Sequence, residues 1–408
     1  MSHNPAPKGK LLSVTEARAV MLAAVPRLAA ESVALERALG RVLAEDVKAA
    51  RDQPPFATSA MDGYAVRSAD TPGTLEIGGE SAAGHGYEGL CQGNMAIRIS
   101  TGAAIPQGAD SIVIQEDVQR SGNKITVPIS QPGQHIRPRG GDFSARAVLL
   151  TAGRRLDGVA LSLVAASGAA HAQVSRMPRI AILSSGDELA APGSPPGKFQ
   201  IFDSVTFGIA GLIQSWGGMP NRLAVEKDDA AAIARAAESG LKESDLLVVV
   251  GGASVGDHDH ARPALQRLGL ELRVEKVAVR PGKPTWFGKA PQGLVLGLPG
   301  NPASALACAR LFLRPLMEKM LGRDPQLNLV PGRARLMHAL PANGPREHYL
   351  RAVLDVDQQG RQQVRAYDDQ DSSLISVFAA ANALIRLPVD APALEAGALV
   401  DVLPLEGA

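Results

Sequence analysis

The chain has 408 residues, too many for one ordinary core, and its length implies about two to four domains. Apolar residues make up 45% and charged residues 20%, the balance of a globular chain. A net charge of +1 and an aromatic content of 3% exclude a general electrostatic or base-stacking grip on nucleic acid or an anionic membrane. Two cysteines, Cys91 and Cys308, build neither a disulfide framework nor a CxxC zinc pair, and both read as small buried apolar residues. Met1 to Lys10 is polar, without the apolar core of a signal peptide, and stretches such as Val159 to Ala170 are too short to span a bilayer. A cytoplasmic protein is expected.

In chain order, Ser13 and Glu16 form a capping box ahead of an apolar-periodic run, which predicts a helix over Val14 to Ala30. A second helical segment is expected at Leu35 to Leu43. From Asp46 to Arg146 glycine and proline become frequent. Short β-type runs appear there at Met95–Ile99, Ser111–Ile114 and Lys124–Val127, separated by turn signals. This predicts a β-rich domain inserted into a helical one, whose signal returns at Asp157 to Ser167. Between Arg179 and Gly322 three strand–loop–helix units recur, beginning at Ile180, Leu246 and Leu294. Such alternation implies a parallel sheet covered by helices on both faces. Asn301 suits a helix cap, Pro302 the first helical position, and Ala303 to Leu321 the apolar stripe. After Pro325, β-type runs at Tyr349–Leu354, Ala383–Leu387 and Ala398–Leu403 predict a small terminal β domain.

The expected fold is therefore multidomain, α/β plus β. Residues 11–45 and 147–178 form a discontinuous helical domain, 46–146 the inserted β-rich domain, 179–325 a three-layer α/β domain with a parallel-rich sheet, and 326–408 a barrel-like β domain.

Three glycine-rich loops fall after predicted strands and should converge on the sheet's carboxyl edge, where open α/β sheets bind ligands. Ser184-Ser185-Gly186-Asp187-Glu188 brings two carboxylates. Gly251-Gly252-Ala253-Ser254-Val255-Gly256 supplies backbone N–H donors and is followed by Asp257 and Asp259. Gly297 to Ser304, through Pro299, Gly300 and Asn301, opens a helix whose N-terminus suits an anion. One such loop is ordinary turn chemistry; three at corresponding positions, two of them acidic, favour a ligand site. Asp257 and Asp259 also suit a helix N-terminus electrostatically, which is compatible with Mg²⁺, a cation that takes one or two carboxylates plus substrate phosphates. No loop ends in the GK[ST] of a Walker A sequence, and no dinucleotide fingerprint stands in the right place.

Lys276, Arg280 and Lys283 place three cations within eight residues, and strand alternation would put Lys276 and Arg280 on one face. They suit phosphate or another oxyanion, although a solvated edge strand explains the spacing equally well. Asp62-Gly63 and Arg139-Gly140-Gly141-Asp142 read as turns in the inserted domain. His258 and His260 alternate with aspartates, without the helical spacing of a zinc pair, and no G-x-S-x-G elbow marks a hydrolase.

Together these segments resemble one family, the molybdopterin molybdenumtransferases, which include bacterial MoeA and the E domain of gephyrin. The resemblance rests on Pro54-Pro-Phe56, Ser59-Ala-Met-Asp-Gly-Tyr-Ala-Val66, Ile99-Ser-Thr-Gly102, Arg139-Gly-Gly-Asp142, Leu183-Ser-Ser-Gly-Asp-Glu-Leu189, Gly251 to Asp259, Arg280-Pro-Gly-Lys-Pro284 and Gly297-Leu-Pro-Gly-Asn-Pro-Ala-Ser304. It covers nearly the whole chain, in the family's order. The resemblance implies an α/β domain of the molybdopterin-binding type and insertion of molybdate into adenylylated molybdopterin, with Mg²⁺-dependent release of AMP. It also implies a homodimer whose active site is shared between subunits, and transient contact with the adenylyltransferase that makes the substrate.

Carried over by position, Asp62, Asp142, Glu188, Asp228 and Asp259 are expected to be catalytic, with Glu188, Asp257 and Asp259 placed to hold Mg²⁺. Lys276, Arg280, Lys283, Arg351 and Ser372 are expected to bind the oxyanion. Thr101, Ser184, Gly186, Gly251, Gly252, Ser254, Gly256, Pro299, Gly300, Asn301 and Ser304 would bind the substrate and its phosphates. Arg280 stands where many relatives have lysine, Ala147 where a glycine is usual, and Gln370-Asp-Ser-Ser373 where many have Gln-Gly-Ser-His or Gln-Gly-Ser-Gly. The extra carboxylate of Asp371 should weaken oxyanion binding. Alternatives are a catalytically drifted paralogue that binds or regulates, the adenylyltransferase itself, disfavoured by the extra domains, and a scaffold, disfavoured by the lack of a long linker.

Overall fold

The computed structural model describes residues 11–251 and 260–405. These described residues divide into two compact units, one drawn from within Met1–Glu31, Gly40–Ala44 and Val174–Ala408, the other from Ser32–Leu39 and Glu45–Gln173.

The smaller unit is built on a six-stranded sheet in the order Ser111–Ile114, Gly63–Val66, Met95–Ile99, Gly73–Ser81, Lys124–Val127, Gln119–Ser121. Alternating residues feed a cluster on each side: Tyr64, Val66, Val113 and Ile125 pack in one, and Ala65, Ile97, Ile99, Ile112 and Cys91 in the other. Both faces are thus covered, as period-2 side-chain alternation requires of a two-sided core. The helix Gly158–Ala166 begins at Asp157, whose carboxylate accepts from the Ala160 N–H.

The larger unit opens with the helix Val14–Ala24. Its capping box is complete: Ser13 Oγ accepts from the Glu16 N–H, and Glu16 Oε2 accepts from the Ser13 N–H at 2.8 Å. The helix stops six residues short of the expected Ala30, because Pro26 forces Val25 into an extended conformation (φ −95°, ψ 123°). The second expected helix, which falls in the smaller unit, shrinks to one 3₁₀ turn, Leu35–Arg37.

The central sheet runs Met219–Arg222, Arg179–Ser184, Leu246–Val250, Gly293–Leu298, Trp286–Ala290, Glu271–Val274. The first four strands are mutually parallel, while the last two join antiparallel. Leu246–Val250 is buried throughout. Its even-numbered side chains pack with Ile209, Leu311 and Phe312, and Leu247 and Val249 pack with Ile233, Leu241 and Leu265 on the opposite face. A continuous apolar run is what a strand covered on both sides demands, and each such side chain contributes about 1.5–3 kcal/mol of burial.

The expected helix over 303–321 is three segments: Pro302–Cys308, a π turn Ala309–Leu313, and Arg314–Met320. The widened turn carries Arg310, whose buried guanidinium donates to Asn328 O at 2.6 Å. Asn301 occupies the cap position but its side chain makes no capping bond.

The C-terminal region closes a five-stranded barrel in the order Glu347–Val356, Gln362–Ala366, Gly332–Leu336, Leu399–Pro404, Ala383–Leu387, with the last pairing back to the first. Lys276 and Arg280 do not share one strand as alternation suggested. Lys276–Val277 pairs with Leu11–Leu12, and Val279–Arg280 pairs in parallel with Glu347–His348 on the barrel. Ala278 is the hand-over: its N–H donates to Leu12 O at 2.7 Å and its carbonyl accepts from the Glu347 N–H at 3.0 Å. No described helix is long and apolar enough to cross a membrane.

Candidate active site

The carboxyl ends of the parallel strands and the rim of the barrel enclose a cavity of about 790 Å³ in the larger unit. The loop after Arg179–Ser184 brings Ser185, Gly186 and Glu188, the loop after Met219–Arg222 brings Asp228, and the central strand ends at Gly251. Pro299, Gly300, Asn301 and Ser304 come from the strand–helix junction, and Lys276, Arg280 and Lys283 from the crossing between sheets. The barrel contributes Arg346, His348, Gln370, Asp371 and Ser372.

Gly186 has a structural reason. It sits at φ 154°, and a Cβ there would collide with the Glu188 carboxylate. The glycine lets that carboxylate fold back over its own loop. Gly282, at φ 118°, is equally constrained: a Cβ would overlap the sulfur of buried Cys308. Cys308 accepts from the Thr285 hydroxyl at 3.2 Å, and burial pushes its thiol up to about 12, so it is a packing residue.

Electrostatically the cavity is mixed. Among the described residues, none of Lys276, Arg280, Lys283 and Arg346 has a carboxylate within ion-pair distance, nor do Glu188 and Asp228 have a cation. Unneutralised cations beside unneutralised carboxylates suit a polyanion with a bridging cation. His348 adds a neutral hydrogen-bonding group. Burial, then Arg280, Arg346 and Arg351, pushes its imidazole down to about 4.

Several expected residues stand elsewhere. Arg351 does not face the cavity. It is 2% exposed, and its Nη1 donates to Asp371 O at 2.8 Å while its Nε donates to Gln370 Oε1 at 3.2 Å. Gln370 answers through Nε2, which donates to Arg351 O at 3.0 Å and Tyr367 O at 2.8 Å. Arg351 thus holds the loop that carries Ser372. Ser184 is buried behind the cavity wall, whose lining residue is Ser185. Asn301 Nδ2 donates to Ser372 Oγ at 2.7 Å, and Ser372 O accepts from the Ala303 N–H at 3.0 Å. The Asp371 carboxylate turns back to accept from the Ser373 N–H at 2.8 Å and hydroxyl at 2.6 Å, which hold it below the usual carboxylate range.

Asp62, Thr101 and Asp142 belong to the smaller unit. There Asp62 Oδ1 accepts from the Thr101 N–H at 2.6 Å, and Thr101 holds the Asp62 carboxyl below its ordinary value. Asp142 is exposed beside Phe143, and its N–H donates to Gln53 O at 2.9 Å. Gly252, Ser254, Gly256, Asp257 and Asp259 lie outside the described residues. Sequence reasoning missed Arg346 and His348. Their place depends on the pairing of Val279–Arg280 with Glu347–His348, which no local pattern announces.

Three family models match in chain order: the MoeA N-terminal region (domain I and II) over residues 12–168, the "Probable molybdopterin binding domain" over 181–319, and the MoeA C-terminal region (domain IV) over 333–405. The chain is 33% identical to a molybdopterin molybdenumtransferase of Nostoc sp., covering 96% of this chain and 94% of the relative. It is also 33% identical to that of Haemophilus influenzae, covering 97% and 98%. A solved molybdopterin biosynthesis MoeA protein from Pyrococcus horikoshii superposes with a TM-score of 0.85 at 30% identity, covering 98% of this chain and 100% of that one.

Proposed function

The chain belongs to the MoeA family of molybdopterin molybdenumtransferases, and from that premise we propose that it inserts molybdate into adenylylated molybdopterin with release of AMP. The observation that carries the proposal is the single cavity in which Lys276, Arg280, Lys283 and Arg346 converge with Glu188 and Asp228.

Each group has work to do with such substrates. The four cations attract a tetrahedral dianion and the substrate phosphates. Ser372 already accepts a hydrogen bond from Asn301, so its own proton is free for an oxyanion oxygen. His348, uncharged, would offer a ring N–H to the substrate from the same wall. Arg351 acts at one remove, by fixing Gln370 and the Ser372 loop.

The described residues fit Mg²⁺. Glu188 and Asp228 offer two carboxylates to the cavity, and this cation takes one or two carboxylates with phosphate oxygens and water. When bound it would neutralise the phosphate charge on the departing group. Asp257 and Asp259, outside the described residues, belong to the same proposed set. The reading extends to a homodimer in which Asp62, Thr101 and Asp142 of one subunit complete the other subunit's site. A monomer by light scattering at assay concentration would contradict that part.

The test is to incubate purified protein with adenylylated molybdopterin, Mg²⁺ and molybdate, and to follow AMP and cofactor. Molybdate-dependent AMP release is expected. AMP formed instead from ATP and molybdopterin would identify the adenylyltransferase.

A further inference from the structure

The π turn Ala309–Leu313 carries charge into the core, away from the cavity described above. Arg310 is 6% exposed. Its Nη2 donates to Asn328 O at 2.6 Å and, more weakly, to Pro404 O at 3.4 Å. These carbonyls belong to the 3₁₀ turn Leu327–Leu329 that leads into the barrel and to the last barrel strand. Arg310 Nε and Nη1 are buried as well, and among the described residues neither meets an acceptor.

The charges around Arg310 do not cancel. Glu318 is 1% exposed, and both of its oxygens are engaged by other groups. Oε2 accepts from Arg323 Nη1 at 2.7 Å, Oε1 accepts from Asn328 Nδ2 at 2.7 Å, and Arg314 Nε lies 3.5 Å from Oε1. Among the described residues, the three guanidinium groups of Arg310, Arg314 and Arg323 thus stand against one buried carboxylate. Arg310 and Arg314 are close enough to oppose each other's charge. Burial first, then Arg310, pulls Arg314 down to about 10, and burial pulls Arg310 down to about 10 with Glu318 opposing it.

A guanidinium withdrawn from water must recover both hydrogen bonds and counter-charge. A water molecule at Nε or Nη1 supplies the first and not the second, whereas an anion supplies both. The surroundings decide which anion. Leu311, Phe312, Leu313 and Leu316 are wholly buried, and Leu329 and Leu405, each next to a carbonyl that Arg310 uses, pack on the same apolar core. Such walls give no further donors for the several oxygens of an oxyanion. Desolvation also costs more as ionic charge rises, which favours a monovalent, monatomic ion.

We propose that a halide, chloride under ordinary conditions, binds between Arg310 and Arg314 as a structural ion. It holds the π turn against the Leu327–Leu329 turn and the last barrel strand, and it takes no part in the reaction at the cavity.

Thermal unfolding of the full chain in chloride–gluconate mixtures of constant ionic strength tests the site, with Arg310→Met beside wild type. The wild-type midpoint should rise with chloride and saturate, by roughly 2–4 °C in all. Arg310→Met removes the charge that the ion offsets, so its midpoint should ignore chloride and, without chloride, match or exceed that of wild type. Wild-type crystals soaked in sodium bromide give the second measurement, which decides alone if the variant does not fold. An anomalous peak within hydrogen-bonding reach of Arg310 Nε or Nη1 is expected. A midpoint that follows chloride equally in both proteins, or no bromide at that place, overturns the site. Bromide there without a chloride-dependent gain in wild-type stability is an adventitious ion only, and overturns it too.

Discussion

Asn301 donates a 2.7 Å hydrogen bond to the hydroxyl of Ser372, joining the strand–helix junction of the α/β layer to the barrel loop across the cavity. The bond uses an acceptor position of Ser372 and leaves its proton to be given elsewhere. Asn301→Ala should therefore raise the molybdate concentration for half-maximal AMP release about tenfold, at a stability cost of about 1 kcal/mol. Ser372→Ala should give a similar kinetic loss, and the double variant should be little worse than either. Additive losses in that double-mutant cycle would show that the two side chains act separately.

Arg351 and Arg280 should fail in different ways. Arg351 is buried among backbone carbonyls and Gln370, so Arg351→Met should cost about 3 kcal/mol in urea unfolding and lose activity with it. Arg280 is exposed in the cavity wall. Arg280→Met should stay within about 0.5 kcal/mol of wild-type stability while losing oxyanion affinity. Equal stability losses in the two proteins would contradict this division.

His348 makes stability depend on pH with a defined sign. Its folded value, about 4, lies below the ordinary 6.5. Between those values the unfolded chain binds a proton that the folded chain does not, so stability falls as pH drops from 6.5 towards 4 and this contribution is flat outside that window. The full effect is about 3 kcal/mol. His348→Gln should flatten the urea-unfolding curve over that range relative to wild type. Parallel curves for the two proteins would show that His348 is not the group responsible.

Gly186 clears space for the Glu188 carboxylate. Gly186→Ala should push that carboxylate off its loop and raise the Mg²⁺ concentration needed for half-maximal turnover, measured by magnesium titration at saturating molybdate. An unchanged magnesium requirement in a folded Gly186→Ala protein would remove Glu188 from the proposed metal set.

Asp371 lines the cavity, held ionised by Ser373. Asp371→Asn removes a negative charge beside the oxyanion space and should lower the half-saturating molybdate concentration about two- to fivefold in low salt. The gain should shrink as salt is added, because the group is exposed and screened. A gain independent of ionic strength would point to a steric cause instead.

Much of this architecture was legible where one physical signal acted alone. The apolar run Leu246–Val250 is a strand buried on both faces, and Ser13 with Glu16 caps a helix as their spacing foretold. Extrapolation failed where a second constraint intervened. Pro26 ended the first helix, and the crossing at Ala278 split Lys276 and Arg280 between two sheets. Asn301 carries the cap backbone but gives its side chain to Ser372, a partner 71 residues away. In the site, the cations of the Arg280–Lys283 turn could be suspected from spacing. Arg346 and His348 could not, because only the barrel pairing brings them to the cavity. Arg351 was found by position, but its burial against Gln370 and the Asp371 carbonyl, behind the loop that carries Ser372, could not be read from the sequence.

The most direct measurement is AMP release from adenylylated molybdopterin as a function of molybdate concentration, with wild type and Arg280→Met side by side. Saturable, molybdate-dependent release is expected from wild type, with half-saturation shifted upward at least about tenfold in the variant. AMP release that ignores molybdate, or that is identical in the two proteins, would contradict the assignment of this cavity to molybdate insertion.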